Sequence, residues 1–512
     1  MRGALLCLML MLTFPAWAQP RPNAGRFDTA LAASVFTAAL AFTAPRTIEA
    51  VTIPQLTLWG LRGVTAFDTG LTVQLRDGAI VLDVGGKAQF QRGAPALPTA
   101  EAWSAAAADV FAAAWDASPA LQEAGTQGLI GGFFDEVFNH LDPYSRYVAP
   151  EAADVDRARR SGETGIGVQV ARRGGIVVTD VNADGPAAEA GVTVGDKLVA
   201  IDGQPVRADA PAAVMARLSG TEGSAVVLTL RGRDGRVRQA EVERAVIPPE
   251  TVSAQRAGNA LVLRISSFRD YTAQQLAREI DTAFNGTVPA GRRPRGLVLD
   301  LRGNRGGVLR QAVTAADMLL DAGIIAVTEG RNPDAFHRWA ATSGDLTSGV
   351  PIIVLVDGRT ASSAEILTAA LADNGRAVVV GSSTLGKGLV QTIGRLPDGG
   401  ELFVTWSRVL APRGWPIQGL GVLPQVCTSL GQDSLAQQLA SLDRGTPRMQ
   451  AALERHRSAR VPVAAAAILD QRNACPAGEA RDGDMLAARY LLEHPAAYAA
   501  ARLVPASAQA AQ

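Results

Sequence analysis

A multidomain α/β protein is predicted, with an α/β core, an inserted β-rich segment ahead of it, and helical segments at both ends. Three observations lead there. From about residue 261, apolar strand-like runs alternate with helical ones (ALVLRISSF, QQLAREIDTAF, RGLVLDL, VLRQAVTAADMLLDAG), the pattern of a largely parallel, covered sheet. From about residue 161 to 246 the composition shifts to Gly, Val and short strands. Both flanks are Ala-rich with helical periodicity. A chain of 512 residues is long for one domain, and 47% hydrophobic content supplies several cores.

Taken in order, Met1-Arg2, a short apolar run and Ala16-Trp17-Ala18 read as an export signal cut after Ala18. The apolar run is short for a spanning helix. Two long helical stretches follow, TALAASVFTAALAF and EAWSAAAADVFAAAWDA, with a small hairpin between them turning at Asp77-Gly78. The helix LIGGFFDEVFNH then ends in the turn Leu141-Asp142-Pro143-Tyr144-Ser145. In the β-rich segment, Gly165-Ile166-Gly167-Val168 precedes the strand GIVVTDV, the run GPAAEAGVTVGDKLVAIDGQPV, a short helix and a hairpin. Successive N–H groups of such a glycine loop can hold a free carboxylate beside a strand edge that accepts an extended peptide. This order resembles a PDZ domain, which would place peptide binding at Gly165, Ile166, Gly167 and Val168. Beyond about residue 428 an Ala- and Gln-rich helical extension completes the chain.

The expected divisions are a signal peptide (1–18), a helical N-terminal region (19–155), the PDZ-like domain (156–248), the core (249–425) and the helical extension (426–512). Equal counts of 49 basic and 49 acidic residues argue against nucleic acid or an anionic surface as the main partner. Cys427 and Cys475 remain after the signal is removed. In an exported protein the pair suggests one disulfide, the alternative being two buried thiols; neither has metal-ligand spacing.

The chemistry concentrates between residues 357 and 391. The buried strand PIIVLVD leads through a Gly-Arg-Thr turn to a helix over about Ala361 to Ala372, with Ser362 and Ser363 in its first turn. Free N–H groups and the helix dipole there favour negative charge. A second strand, RAVVVG, leads to a glycine loop presenting Lys387. The four histidines sit in no catalytic motif, and neither G-x-S-x-G nor H-E-x-x-H occurs, so neither an α/β-hydrolase nor a zinc peptidase is favoured. A serine then needs another base, and a lysine serves where burial disfavours its ammonium form. The plain alternative for Lys387 is a solvent-facing loop lysine. Gly306 and Gly307, in DLRGNRGG after another buried strand, could supply backbone oxyanion donors or simply permit a tight turn.

Six stretches in register change the weighting: L-D-P-Y-S at Leu141, the glycine loop at Gly165, D-L-R-x-N-x-G-G at Asp300, T-A-S-S-A-E-I at Thr360, G-K-G-x-x-Q at Gly386 and I-Q-G-x-G-V at Ile417. Together they resemble the carboxyl-terminal processing peptidases, or tail-specific proteases, over roughly residues 120 to 425. The resemblance implies a crotonase-like protease core and a secreted or periplasmic serine endopeptidase. Its catalytic set falls on Ser362 as nucleophile, Lys387 as base and Gln391 as orienting residue, with the 25-residue spacing from serine to lysine that the family pattern has. Oxyanion donors fall on the Ser363 N–H and the Gly306-Gly307 turn. No cofactor or metal is implied. The implied partners are protein or peptide substrates with apolar free C-termini, not nucleic acid; loose membrane association and oligomeric state stay open. The sequence departs from the pattern at Ser363, which puts two serines side by side, and at Gln425, where the family has aspartate. Two other readings compete: a non-catalytic peptide-binding adaptor, which has no need for the Ser362, Lys387 and Gln391 set, and a crotonase-like hydrolase of small acyl substrates, against which the PDZ-like segment argues.

Overall fold

The structure, a computed structural model, describes residues 25–504 apart from 183–184, 207–208, 287 and 343. The expected signal peptide lies outside the described residues. The chain forms two units, one of residues up to 149 together with 393–404, and the other of 150–392 with 405 onward.

In the first unit, helices Thr29–Thr43, Ile53–Leu61, Ala100–Ala117 and Pro119–Asn139 bury an aromatic core in which the Phe36 and Phe133 rings stack at 4.1 Å. Asp28 and Thr99 cap the first and third of these helices through their side-chain oxygens. The predicted hairpin is present as Leu71–Arg76 and Ala79–Val84, and Asp77 and Gly78 both take the positive φ that a tight two-residue turn requires. A third strand, Lys87–Gly93, extends it. That strand is polar and largely exposed, so no apolar alternation announces it.

In the second unit, the β-rich segment is a sheet of Val168–Arg172, Ile176–Val181, Lys197–Ile201, Ala225–Arg231 and Val237–Glu243, with Val168–Arg172 at one edge. The helix Pro211–Leu218 lies beside that edge strand. The core sheet runs Val252–Ala257, Ala260–Ile265, Gly296–Asp300, Ile352–Val356, Ala377–Gly381 and Val426–Cys427. All its pairings are parallel except the first, an antiparallel edge. Every residue of the three central strands is buried, which is why they read as unbroken apolar runs and not as alternating ones. Helices Thr272–Ile280, Leu309–Asp317 and Ser363–Asp373 cover one face; Gln432–Asp443, Asp482–Glu493 and Pro495–Ala501, from the C-terminal extension, cover the other.

Candidate active site

The carboxyl ends of the three central strands bring the candidate residues into reach. Asp357 follows the strand Ile352–Val356 and is buried; its Oδ1 accepts from the N–H groups of Gly303, Arg359 and Thr360, each at 3.0 Å. One carboxylate thus shapes the turn leading to Ser362 and ties it to the turn after Gly296–Asp300. Buried Asn304 strengthens the tie, because its carbonyl accepts from the Ala361 N–H at 2.9 Å.

Ser362 is not within the helix. It precedes Ser363–Asp373 as the N-cap, with φ 55° and ψ −121°. That region is unfavourable for a residue with a Cβ, at about 1–3 kcal/mol, and persists only where the surroundings over-determine it. Here Asp357, Asn304 and the helix do so. The chain lacks G-x-S-x-G, yet it makes a sharp strand-to-helix turn that lifts one serine out of the helix. Ser362 stays half-exposed, whereas Ser363 is buried and its hydroxyl donates to the Gly307 carbonyl at 2.9 Å. The two adjacent serines are therefore not equivalent.

Glu365, with none of its surface exposed, holds this turn to the lysine loop. Its Oε2 accepts from the Ser362 N–H at 2.7 Å and from the Lys387 N–H at 2.9 Å. Its Oε1 accepts from the Gly386 N–H at 2.7 Å and from the Thr384 hydroxyl. Burial pushes the Glu365 carboxyl above the usual carboxylate range, against the pull of these four donors. Four donors converge on it, an arrangement that favours the ionised form. The sequence signal was available: Glu at the third helical position is where a side chain reaches back to the N-cap N–H. What spacing could not show is that the same carboxylate also collects the Lys387 loop.

The Lys387 loop is held further by Leu385 N–H to the Thr360 carbonyl (2.9 Å), Gly419 N–H to the Gly386 carbonyl (2.9 Å) and Gly388 N–H to Gln418 Oε1 (2.9 Å). The I-Q-G-x-G-V run is thus the wall against which this loop is built. Lys387 is half-buried. The Gln391 amide donates to Thr405 Oγ1 at 3.0 Å and to the Leu389 carbonyl at 3.2 Å, which fixes its plane.

In the expected oxyanion turn the Gly306 N–H donates to Asn304 Oδ1 at 2.8 Å. Gly306 contributes by what it lacks: at φ 90°, a Cβ there would fall 2.7 Å from Ser362 Cβ and 2.9 Å from the Ser363 nitrogen. At Gly307 a Cβ would fall 1.8 Å from the Phe268 carbonyl; Phe268 N–H donates to Gly306 and Val308 N–H to Phe268, and the Gly307 N–H has no hydrogen-bond partner among the described residues.

In the β-rich domain, Gly165 ends the strand Glu163–Gly165, Ile166 is buried, Gly167 has φ 78°, and Val168 begins the edge strand. The Ile166 and Gly167 carbonyls accept from Ala187 and Asn182, which pins the loop. Cys427 and Cys475 are joined in a buried disulfide. Among the described residues no group of acidic, histidine or cysteine side chains could hold a metal ion, and no helix is long and apolar enough to cross a membrane.

The chain is similar to known proteins over the core and the β-rich domain. The profile of peptidase family S41 matches residues 259–428, and that of the PDZ domain matches 177–232. The carboxy-terminal-processing protease of Bartonella bacilliformis is 34% identical over 304 residues, 59% of this chain and 69% of that protein. The carboxyl-terminal-processing protease of Picosynechococcus is 34% identical over 295 residues, 55% of this chain and 69% of that one. Among solved structures, a photosystem II D1 C-terminal processing protease is 27% identical, covering 60% of this chain and 86% of that chain with a TM-score of 0.34. With its S41 and PDZ segments and this breadth of identity, the chain belongs to the carboxyl-terminal processing proteases, serine-type peptidases of family S41.

Proposed function

We propose that the protein is an exported endopeptidase that captures apolar C-terminal tails in its PDZ domain and cleaves by a serine–lysine dyad on a crotonase-like core. The observation that supports this most is Glu365 Oε2, which bonds the backbone N–H of both Ser362 and Lys387. A single buried atom fixes the two residues relative to each other, as a two-residue catalyst requires.

In this reading the neutral Lys387 amine takes the proton of the Ser362 hydroxyl as Oγ attacks the scissile carbonyl. The Ser363 and Gly307 N–H groups face the developing oxyanion, and Gly306 only lets the turns approach. Lysinium then protonates the leaving amine, which departs with the C-terminal fragment. Water, deprotonated by the same lysine, attacks the serine ester; the lysine returns that proton to Ser362 Oγ as the ester bond breaks and the acid leaves. Gln391, its plane fixed by Thr405, orients the lysine. The loop Gly165, Ile166, Gly167 and Val168 receives the tail carboxylate, and the edge strand Val168–Arg172 pairs with the tail. Export fits the signal sequence and the Cys427–Cys475 disulfide, since such bonds persist in oxidising compartments.

The test uses a protein substrate with an apolar free C-terminus. Ser362→Ala and Lys387→Ala should each lower turnover by at least about four orders of magnitude, while Ser363→Ala keeps most of it. Amidating the substrate tail should raise KM for the unchanged enzyme. Full activity in Ser362→Ala, or indifference to amidation, would contradict the corresponding half of the proposal.

A further inference from the structure

The C-terminal extension lies outside the chemistry just described, yet it grips both elements that present the dyad. Gly478 does so most directly. Its carbonyl accepts from the Gly358 N–H at 2.7 Å and from the Ser382 hydroxyl at 3.0 Å, and its N–H donates back to Ser382 Oγ at 3.0 Å. Gly358 opens the turn to Ser362; Ser382 opens the loop to Lys387. Three residues earlier, the Cys475 carbonyl accepts from the Ser383 hydroxyl at 2.6 Å. Arg472 Nη1 donates to the Gly419 and Leu420 carbonyls at 3.2 and 3.0 Å, and Gly419 in turn holds Gly386.

Two anchors keep this stretch in place. The disulfide joins Cys475 to Cys427, the end of the core strand beside Ala377–Gly381. At the far end of the serine helix, Arg457 Nε donates to Asp373 Oδ1 at 2.7 Å, and both side chains are buried. Trp415 Nε1 donates to the other oxygen of Asp373 at 2.8 Å. The extension therefore holds the serine helix at both ends and the lysine loop from behind.

We infer that residues 472–478, anchored by the Cys427–Cys475 disulfide, are a positioning brace that sets the Ser362 turn against the Lys387 loop. This rests on the serine–lysine reading for its effect on rate, but not for its effect on the loops. A helix pair that merely covered the sheet would use side chains on the sheet face. Here the bonds go to backbone and hydroxyl groups of the two loops and to the carbonyls of Gly419 and Leu420 beside the lysine loop, all outside the core strands.

The experiment compares full-length protein with Arg472→Ala, Arg472→Lys and the double variant Cys427→Ala/Cys475→Ala. Two quantities are read: amide hydrogen exchange of residues 358–362 and 383–388, and kcat and KM on the tail substrate. Arg472→Ala should speed exchange in 383–388 and lower kcat roughly ten- to a hundredfold with KM within about twofold, as a displaced catalytic group does. Arg472→Lys, which still offers a donor to these carbonyls, should recover part of the loss. The double cysteine variant should speed exchange in both segments; if it does not fold, Arg472→Ala alone decides. Unchanged exchange and kcat in Arg472→Ala, with only a lower melting temperature, would overturn the brace. A parent enzyme no more active than Ser362→Ala would instead overturn the dyad while leaving the exchange result to stand.

Discussion

Glu365 carries more of this site than any residue that would touch substrate. A buried carboxylate is costly unless its lone pairs are filled, and here two backbone N–H groups on one oxygen and a third with a hydroxyl on the other fill them. The cost of burying the charge is thereby turned into geometry: if the carboxylate is to stay ionised, the Ser362 and Lys387 backbones have to converge on it. Glu365→Gln keeps the shape but puts an amide N–H₂ against one of these donor pairs. Turnover should fall roughly a hundredfold with KM for the tail little changed, because the PDZ domain is untouched. Steady-state kinetics on a peptide and on a tail-bearing protein would check this. A variant with unaltered kcat would mean that the loops find each other without the carboxylate.

The strand-to-helix turn and the glycine turn facing it form one element, since neither conformation stands alone. Ser362 sits at positive φ because Asp357, Asn304 and the following helix leave it no alternative, and Gly306 lacks the Cβ that would strike it. Gly306→Ala should force the Ser362 turn back, losing at least about tenfold in kcat, with a stability cost of about 1–3 kcal/mol. Chemical denaturation alongside kinetics would separate the two effects; a variant both stable and active would show that the turns have slack. This element also shows how far the sequence could be read. Ser362 and Lys387 stand out as the pair the proposed chemistry needs, the two glycines as a turn after a buried strand, and Gln391 only through the family resemblance. The direction of the Gly306 N–H does not stand out, since it is decided by the side chain of Asn304 two residues earlier. Nor does the displacement of Ser362 out of the helix, which is fixed by contacts to a turn some sixty residues upstream.

For the molecule as a whole, the core sheet and the PDZ domain were legible because buried parallel strands and glycine-bounded hairpins leave period and punctuation in the sequence. The strand Lys87–Gly93 and the work of the C-terminal extension were not. The first is polar, and the second acts through the carbonyls of Cys475 and Gly478, a group every residue has. Where the extension meets the core through side chains, the physics gives a sharper consequence. Arg302 lies between Asp300, at the end of a central strand, and Asp484 in the helix Asp482–Glu493, with bonds of 2.8 and 3.1 Å. Burial pushes the Asp300 carboxyl up, but the Arg302 hydrogen bonds and charge outweigh it and hold the pKa below the usual range. A depressed carboxylate stabilises the fold above its unfolded pKa of about 3.9 and ceases to do so as pH falls through the folded value. Arg302→Met leaves that buried carboxylate with only the more exposed Arg264, at 3.3 Å, and should cost about 3 kcal/mol near neutral pH. Removing the arginine leaves burial to raise that carboxyl's pKa, so protonation relieves the charge in the variant first, and the deficit should shrink from just below neutral pH down through the acid range. Thermal unfolding of both proteins from pH 7 to pH 3 measures the gap directly, and a gap that stays constant across that range would show that Arg302 acts by packing and not by charge.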